Sequence, residues 1–152
     1  MDKMKALLVA GFAALSSWLG ILAIPVYLLV LVNVIDYVTG IVAAVYRKEA
    51  VSSCRGIRGI VKKICMWLLV GVGSIIDILV AYGAEQAGLS LHFGYAVGSL
   101  VAVWLICNEL ISILENVADI GVQMPSFLMK LVDRLKGQVE TQAEESVTEI
   151  LK

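Results

Sequence analysis

The 152-residue sequence predicts an all-α integral membrane protein with about four transmembrane helices, three in the alternative topology, and a C-terminal amphipathic helix. Three observations carry this. Apolar residues make up 60% of the chain and charged ones 16%, against roughly 45–50% and 25% in soluble domains. Thirty uncharged residues separate Lys5 from Asp36 and twenty-three separate Glu85 from Glu109, gaps longer than the ~18 residues that mark a membrane span. All twelve Lys and Arg residues fall on one side of the spans so drawn, the asymmetry that orients membrane proteins. The net charge of −1 gives no basis for a nucleic-acid partner.

Residues 6–46 are forty-one mostly apolar positions, too many for one helix across ~30 Å of hydrocarbon and enough for two. Pro25 lacks a backbone donor and disfavours helix at Ile24, which places a tight hairpin there. The second span then covers residues 26–46, the third 64–84 and the fourth 93–114. Residues 52–59, SSCRGIRG, read as the loop before the third. In the three-span alternative, part of 6–24 lies in the interface or forms a mobile first segment. A signal peptide fits less well, because the apolar run outlasts the usual ~7–15-residue core and no small-x-small cleavage site interrupts it.

With four spans, the basic residues put both termini and the central loop, with Arg47, Lys48, Arg55, Arg58, Lys62 and Lys63, in the cytoplasm. The segment EQAGLSLH, 85–92, is left outside, and the basic loop is suited to anionic headgroups. Tyr27, Tyr82 and Tyr95 fall at outer ends and Tyr46 and Trp67 at inner ends, as in aromatic belts. The transmembrane region thus occupies 1–115, followed by an amphipathic cytoplasmic segment, 116–137, and an acidic tail, 138–152. In the amphipathic segment Phe127, Leu128, Leu131, Val132 and Leu135 recur at helical spacing. That face suits a membrane surface, another subunit or the protein's own inner loops. Gly137 is the expected helix stop, with a solvated, weakly helical tail beyond it.

Three acidic residues sit in or near the ends of spans: Asp36, Asp77 and Glu109. A charged carboxylate at a span centre costs roughly 2.5–3.5 kcal/mol, so each needs a reason. An ion or proton pathway, a polar contact between helices, and a water-filled pore are the alternatives. Their neighbours favour association. Asp36, Thr39, Gly40, Ala43 and Ala44 share one face of span two, and Gly73, Ser74, Asp77, Ala81 and Ala84 one face of span three. Gly94, Gly98, Ala102, Glu109, Ser112 and Asn116 gather on span four, with Gly94 and Gly98 as a GxxxG. Lipid gives no hydrophobic gain for joining apolar helices, so small residues and cross-helix hydrogen bonds must drive packing, within one chain or between chains.

No enzyme site, cofactor or metal centre is indicated. His92 is the single histidine, and Cys54, Cys65 and Cys107 show no ligand spacing. Gly56, Gly59, Lys62 and Lys63 do not form a Walker loop.

The ordered set Asp36-x-x-Thr39-Gly40, Ser52-Ser53-x-x-Gly56-x-x-Gly59-x-x-Lys62-Lys63, Asp77, Asn108-Glu109-x-x-Ser112-x-x-Glu115-Asn116 and Gly121-x-x-x-Pro125 resembles the toxin-secretion/phage-lysis holin family of Gram-positive phages and clostridia. The likeness runs from about residue 32 to 135. It implies a small protein of the bacterial cytoplasmic membrane that forms homo-oligomers and opens lesions for an endolysin or a toxin, with no cofactor and no required contact with the passenger. The rival readings are a small ion or proton transporter and a membrane scaffold.

Overall fold

The computed structural model describes residues 2–49, 53–89 and 94–150. It is helical: α1 (Asp2–Leu19), a single 3-10 turn (Gly20–Leu22), α2 (Ala23–Tyr46), α3 (Ser53–Gln86), α4 (Ala96–Asp119) and α5 (Ser126–Ile150). The predicted hairpin is present but not at Pro25. The chain turns at Gly20, whose φ is +55°, and Pro25 lies in the first turn of α2, where its missing N–H has no helical partner to lose. From that turn α1 doubles back, stacking Phe12 on Tyr27 with ring centroids 4.5 Å apart. The Ser16 and Tyr27 hydroxyls are 2.8 Å apart.

α2, α3 and α4 end alike. The N–H of Glu49 bonds Ala44 O, that of Leu89 bonds Ala84 O, and that of Val122 bonds Val117 O. The residue before each, Lys48, Gly88 and Gly121, has positive φ. This six-to-one closure satisfies otherwise orphaned carbonyls, and glycine accommodates the left-handed residue without a Cβ clash.

α4 is the central helix, with α2, α3 and α5 packed against it. The core is Leu22, Leu29 and Val32, Met66 and Val70, and Ala102 and Leu105, with Trp67, Trp104 and Ile106 at its margin. Large apolar side chains outside it are exposed in rows, including Leu31, Val34 and Val38 on α2 and Leu68, Ile75 and Leu79 on α3. Beside the core aliphatics the interior also buries Ala43, Ala44, Asn33, Asp77 and Glu109, and polar groups turned inward with aliphatics turned outward is the arrangement expected when lipid is the solvent. Three helical stretches are long and apolar enough to span a membrane: Gly20–Tyr46, Gly56–Gln86 and Ala96–Asp119. The three-span alternative therefore fits the structure by length and composition; α1, eighteen residues carrying Asp2, Lys3 and Lys5, is not among them.

Several expected boundaries move. The segment read as a loop, 52–59, is helical from Ser53 onward, so Arg58, Lys62 and Lys63 ride on α3 itself. Span four starts at Ala96, which leaves Gly94 before the helix, at φ +54° and with open space around it. Gly94 and Gly98 therefore do not act as a paired helix face. Gly137 does not end a helix, since α5 continues to Ile150; propensity costs only about 1 kcal/mol at one glycine, and packing on α4 offsets it. Ser52, His92, Phe93 and Lys152 lie outside the described residues, as does the side chain of Arg55.

Candidate functional site

Two polar clusters hold the bundle together. The first joins α2, α3 and α4. Lys63 Nζ donates to Asp36 Oδ2 at 2.8 Å, to Asn33 Oδ1 at 3.3 Å, and to Glu109 Oε2. Asn116 Nδ2 donates to Asp36 Oδ1 at 3.2 Å and to Thr39 Oγ1 at 3.3 Å. Thr39 in turn donates to the Asp36 carbonyl, and Ser112 lies beside the Asp36 carboxyl. Gly40 borders the site, and a Cβ there would meet Asn116 Nδ2 at 3.6 Å, an ordinary contact. The Glu109 side chain is 4% exposed and those of Lys63 and Asp36 about 15%.

Asp36 and Glu109 each lie ten residues before the end of their helix and Lys63 ten after the start of its own, on the order of 15 Å along the axis. The cluster is thus deep in the bundle, where two carboxylates share one ammonium. Ion pairs in such surroundings need every partner, because removing one leaves an uncompensated charge. Asn33 Nδ2 is buried and unpartnered within the described residues.

The second cluster secures α3 to α4. Asp77, 4% exposed, accepts the N–H of Val97 at 2.9 Å and that of Gly98 at 2.8 Å. These are first-turn amides of α4, whose own cap residue Tyr95 offers no side-chain bond. A carboxylate from the neighbouring helix therefore takes the capping role and meets the positive end of the helix dipole. Close approach makes this possible: a Cβ on Gly98 would lie 2.7 Å from Ser74 Oγ and 3.2 Å from Ser74 N, and one on Gly73 would lie 3.0 Å from Gly98 Cα.

The remaining predicted residues lie elsewhere. Asn108 and Glu115 line a groove between α3 and α4 with Lys62, Cys65 and Trp104, away from Asp36. Arg47 pairs with Glu49 and, between the C-terminal ends of α2 and α4, with Asp119; the bond to Asp119 holds its guanidinium above its ordinary pKa. Lys48, Arg58 and Lys62 are exposed. Among the described residues no group of three His, Cys, Asp or Glu side chains is placed to hold a metal ion.

Sequence reasoning assigned Lys63 to a basic loop and passed over Asn33. Helical spacing holds the missing signal: Lys63, Met66, Val70, Gly73 and Asp77 recur every three or four residues, so the small, polar stripe of α3 reaches back to the lysine. Asn33 likewise precedes Asp36 by three.

The sequence pattern of the bacteriophage holin family matches residues 13–137. The chain belongs to this family. The match takes in both polar clusters of the holin and leaves out the start of α1 and the acidic half of α5. Its relatives include an uncharacterized Clostridium perfringens protein, 32% identical over 131 residues, 86% of this chain and 89% of that one. An uncharacterized Listeria monocytogenes protein is 34% identical over 125 residues, 82% of this holin and 81% of its own length. One from Halalkalibacterium halodurans is 34% identical over 126 residues, covering 82% and 87%. No solved structure matches the holin. The family is one of membrane pore-formers rather than enzymes.

Proposed function

We propose that this holin accumulates in the bacterial cytoplasmic membrane, associates with further copies of itself, and opens lesions through which an endolysin, or a toxin, leaves the cytoplasm. The observation that carries the reading is the sharing of Lys63 between Asp36 and Glu109 inside a bundle whose α2 and α3 present apolar side chains outward. With Asp36, Lys63 and Glu109 paired inward, α2, α3 and α4 can sit in lipid without offering those charges to it while copies accumulate. The exposed rows on α2 and α3 are surfaces for lateral contact with other copies. The basic end, with Arg47, Arg58 and Lys62, faces the cytoplasm, where anionic headgroups attract each charge by about 1 kcal/mol.

A proton or small-ion transporter would draw on the same Asp36, Lys63 and Glu109. Induced expression in a bacterium, with and without a cytoplasmic endolysin, separates the two. Abrupt lysis that requires the endolysin, with escape of a protein-sized reporter, is the expected result. Ion flux with the reporter retained would displace the holin reading in favour of transport.

A further inference from the structure

The carboxylates that the sequence offered as pore lining are engaged within the bundle: Asp36 and Glu109 with Lys63, and Asp77 at the start of α4. A different element carries a continuous polar surface along the span. α5 has twenty-five residues, about 37 Å of helix, enough to cross ~30 Å of hydrocarbon. One of its stripes is seated on α4: Val132 is buried, Trp104 Nε1 donates to Glu140 Oε1 at 2.7 Å, and the Lys136 ammonium stands 5.1 Å from the centre of the Trp104 ring. Farther along, Val139, Ala143 and Val147 share an apolar groove with Leu69, Val97 and Leu100. Trp104 is eight residues from the start of α4 and fifteen from its end. The second half of α5 therefore runs beside the span and not across its inner end.

The opposite stripe is polar, beside an exposed apolar row of Phe127, Leu131 and Leu135 in the first half of the helix. Lys130, Asp133, Arg134, Thr141, Glu145 and Thr148 recur at helical spacing and are all exposed, with Glu144 at the edge of the stripe, where it also borders the groove between α5 and its neighbours. Turned to hydrocarbon, such a row of charges has no partners and is prohibitively costly. A helix seated on a membrane span by one side and charged along the other needs water on that other side.

We propose that α5 lines the water-filled lumen of the assembled lesion, its Val132–Ala143 stripe on α4 and its Lys130–Thr148 stripe turned to the water. The proposal rests on the lesion-forming reading above. Second copies of the chain close the ring around the polar stripe. Lys130 and Arg134 lie toward the basic end of the lumen, and Glu144 and Glu145 toward its other mouth. In this arrangement the C-terminal end of α5 points away from the cytoplasmic side on which the sequence alone places it.

The test uses the full chain freed of its own thiols (Cys54→Ser, Cys65→Ser, Cys107→Ala) in phosphatidylethanolamine–phosphatidylglycerol vesicles loaded with a protein-sized reporter. Single cysteines are placed by Thr141→Cys and Thr148→Cys on the polar stripe, Ala143→Cys on the seated stripe and Ile78→Cys on the apolar exterior, and are labelled with a charged maleimide. In parallel, a Trp18→Phe, Trp67→Phe protein reports through Trp104 on contact with brominated acyl chains. In vesicles that release the reporter, the two polar-stripe cysteines react roughly ten-fold faster than the other two, because a thiol reacts only where water admits the reagent and the thiolate. Trp104, covered by α5, keeps its emission.

Equal, slow labelling at all four positions overturns the proposal and leaves the lesion-forming reading standing. So does fast labelling at Thr141→Cys and Thr148→Cys with strong quenching of Trp104, which means that α5 has lifted onto the membrane surface. Vesicles of the unlabelled protein that retain the reporter overturn both.

Discussion

Replacing Lys63 with methionine keeps an unbranched apolar stem one atom shorter and deletes the charge. Asp36 and Glu109 then face each other without the ammonium, with the Glu109 side chain only 4% exposed. At the observed 2.8 Å and an effective dielectric of about 20, the Lys63–Asp36 attraction alone is about 6 kcal/mol before desolvation is subtracted. Removing one member of a buried pair costs about 3–5 kcal/mol net, since the surviving charge stays buried. The triple variant Lys63→Met, Asp36→Asn, Glu109→Gln removes all three charges, and most of that loss should return, to within about 1–2 kcal/mol of the parent. The assay is reversible unfolding in mixed micelles with increasing sodium dodecyl sulfate, followed by far-ultraviolet circular dichroism. A single variant that loses less than about 1 kcal/mol, or a triple variant no more stable than the single one, would refute the reasoning that the lysine neutralises two buried carboxylates.

Further outcomes can be read in the same unfolding assay. Asp77→Ala orphans the amides of Val97 and Gly98 and should cost about 1–3 kcal/mol, whereas Asp77→Asn, which keeps one acceptor oxygen, should cost less. Gly98→Ala drives a Cβ against Ser74 Oγ and its backbone N; the expected loss is about 1–3 kcal/mol, and adding Ser74→Ala should recover only part of it because the backbone contact remains. The bond between Arg47 and Asp119 raises the guanidinium's pKa, so its contribution is present below the unfolded value and lost only as pH rises through the still higher folded one. Between pH 6 and 10, Arg47→Gln should therefore change the midpoint by the same amount at every pH, an amount that shrinks as salt is added because the pair is exposed.

Much of the site was legible as residues and little of it as partnerships. Asp36, Thr39, Ser112 and Asn116 do meet, because helical periodicity alone sorts a short polar set onto one face of each span. Asp77 was equally visible, yet its role as the cap of another helix depends on the approach of Gly73 to Gly98, which no single-helix pattern encodes. Lys63 was misread because charge near a span end looks like a headgroup contact until a neighbouring helix brings two carboxylates to it. Pro25 was taken for the turn because it breaks helices in their interiors; in a first turn it breaks nothing, and the chain turns five residues earlier.

The solvent, the all-helical class and the family motifs are properties of local composition and period, and the sequence by itself determined them. The helix apposition that gives each buried charge its partner is set by how closely backbones can approach. The course of α5 past Gly137 and along α4 is likewise set by an apolar stripe finding a mate, and Trp104 holds it with one hydrogen bond and one cation–π contact. Only the tertiary structure decided these, because the energies of pairing and close packing belong to groups remote in the chain and depend on distances that no local sequence window contains.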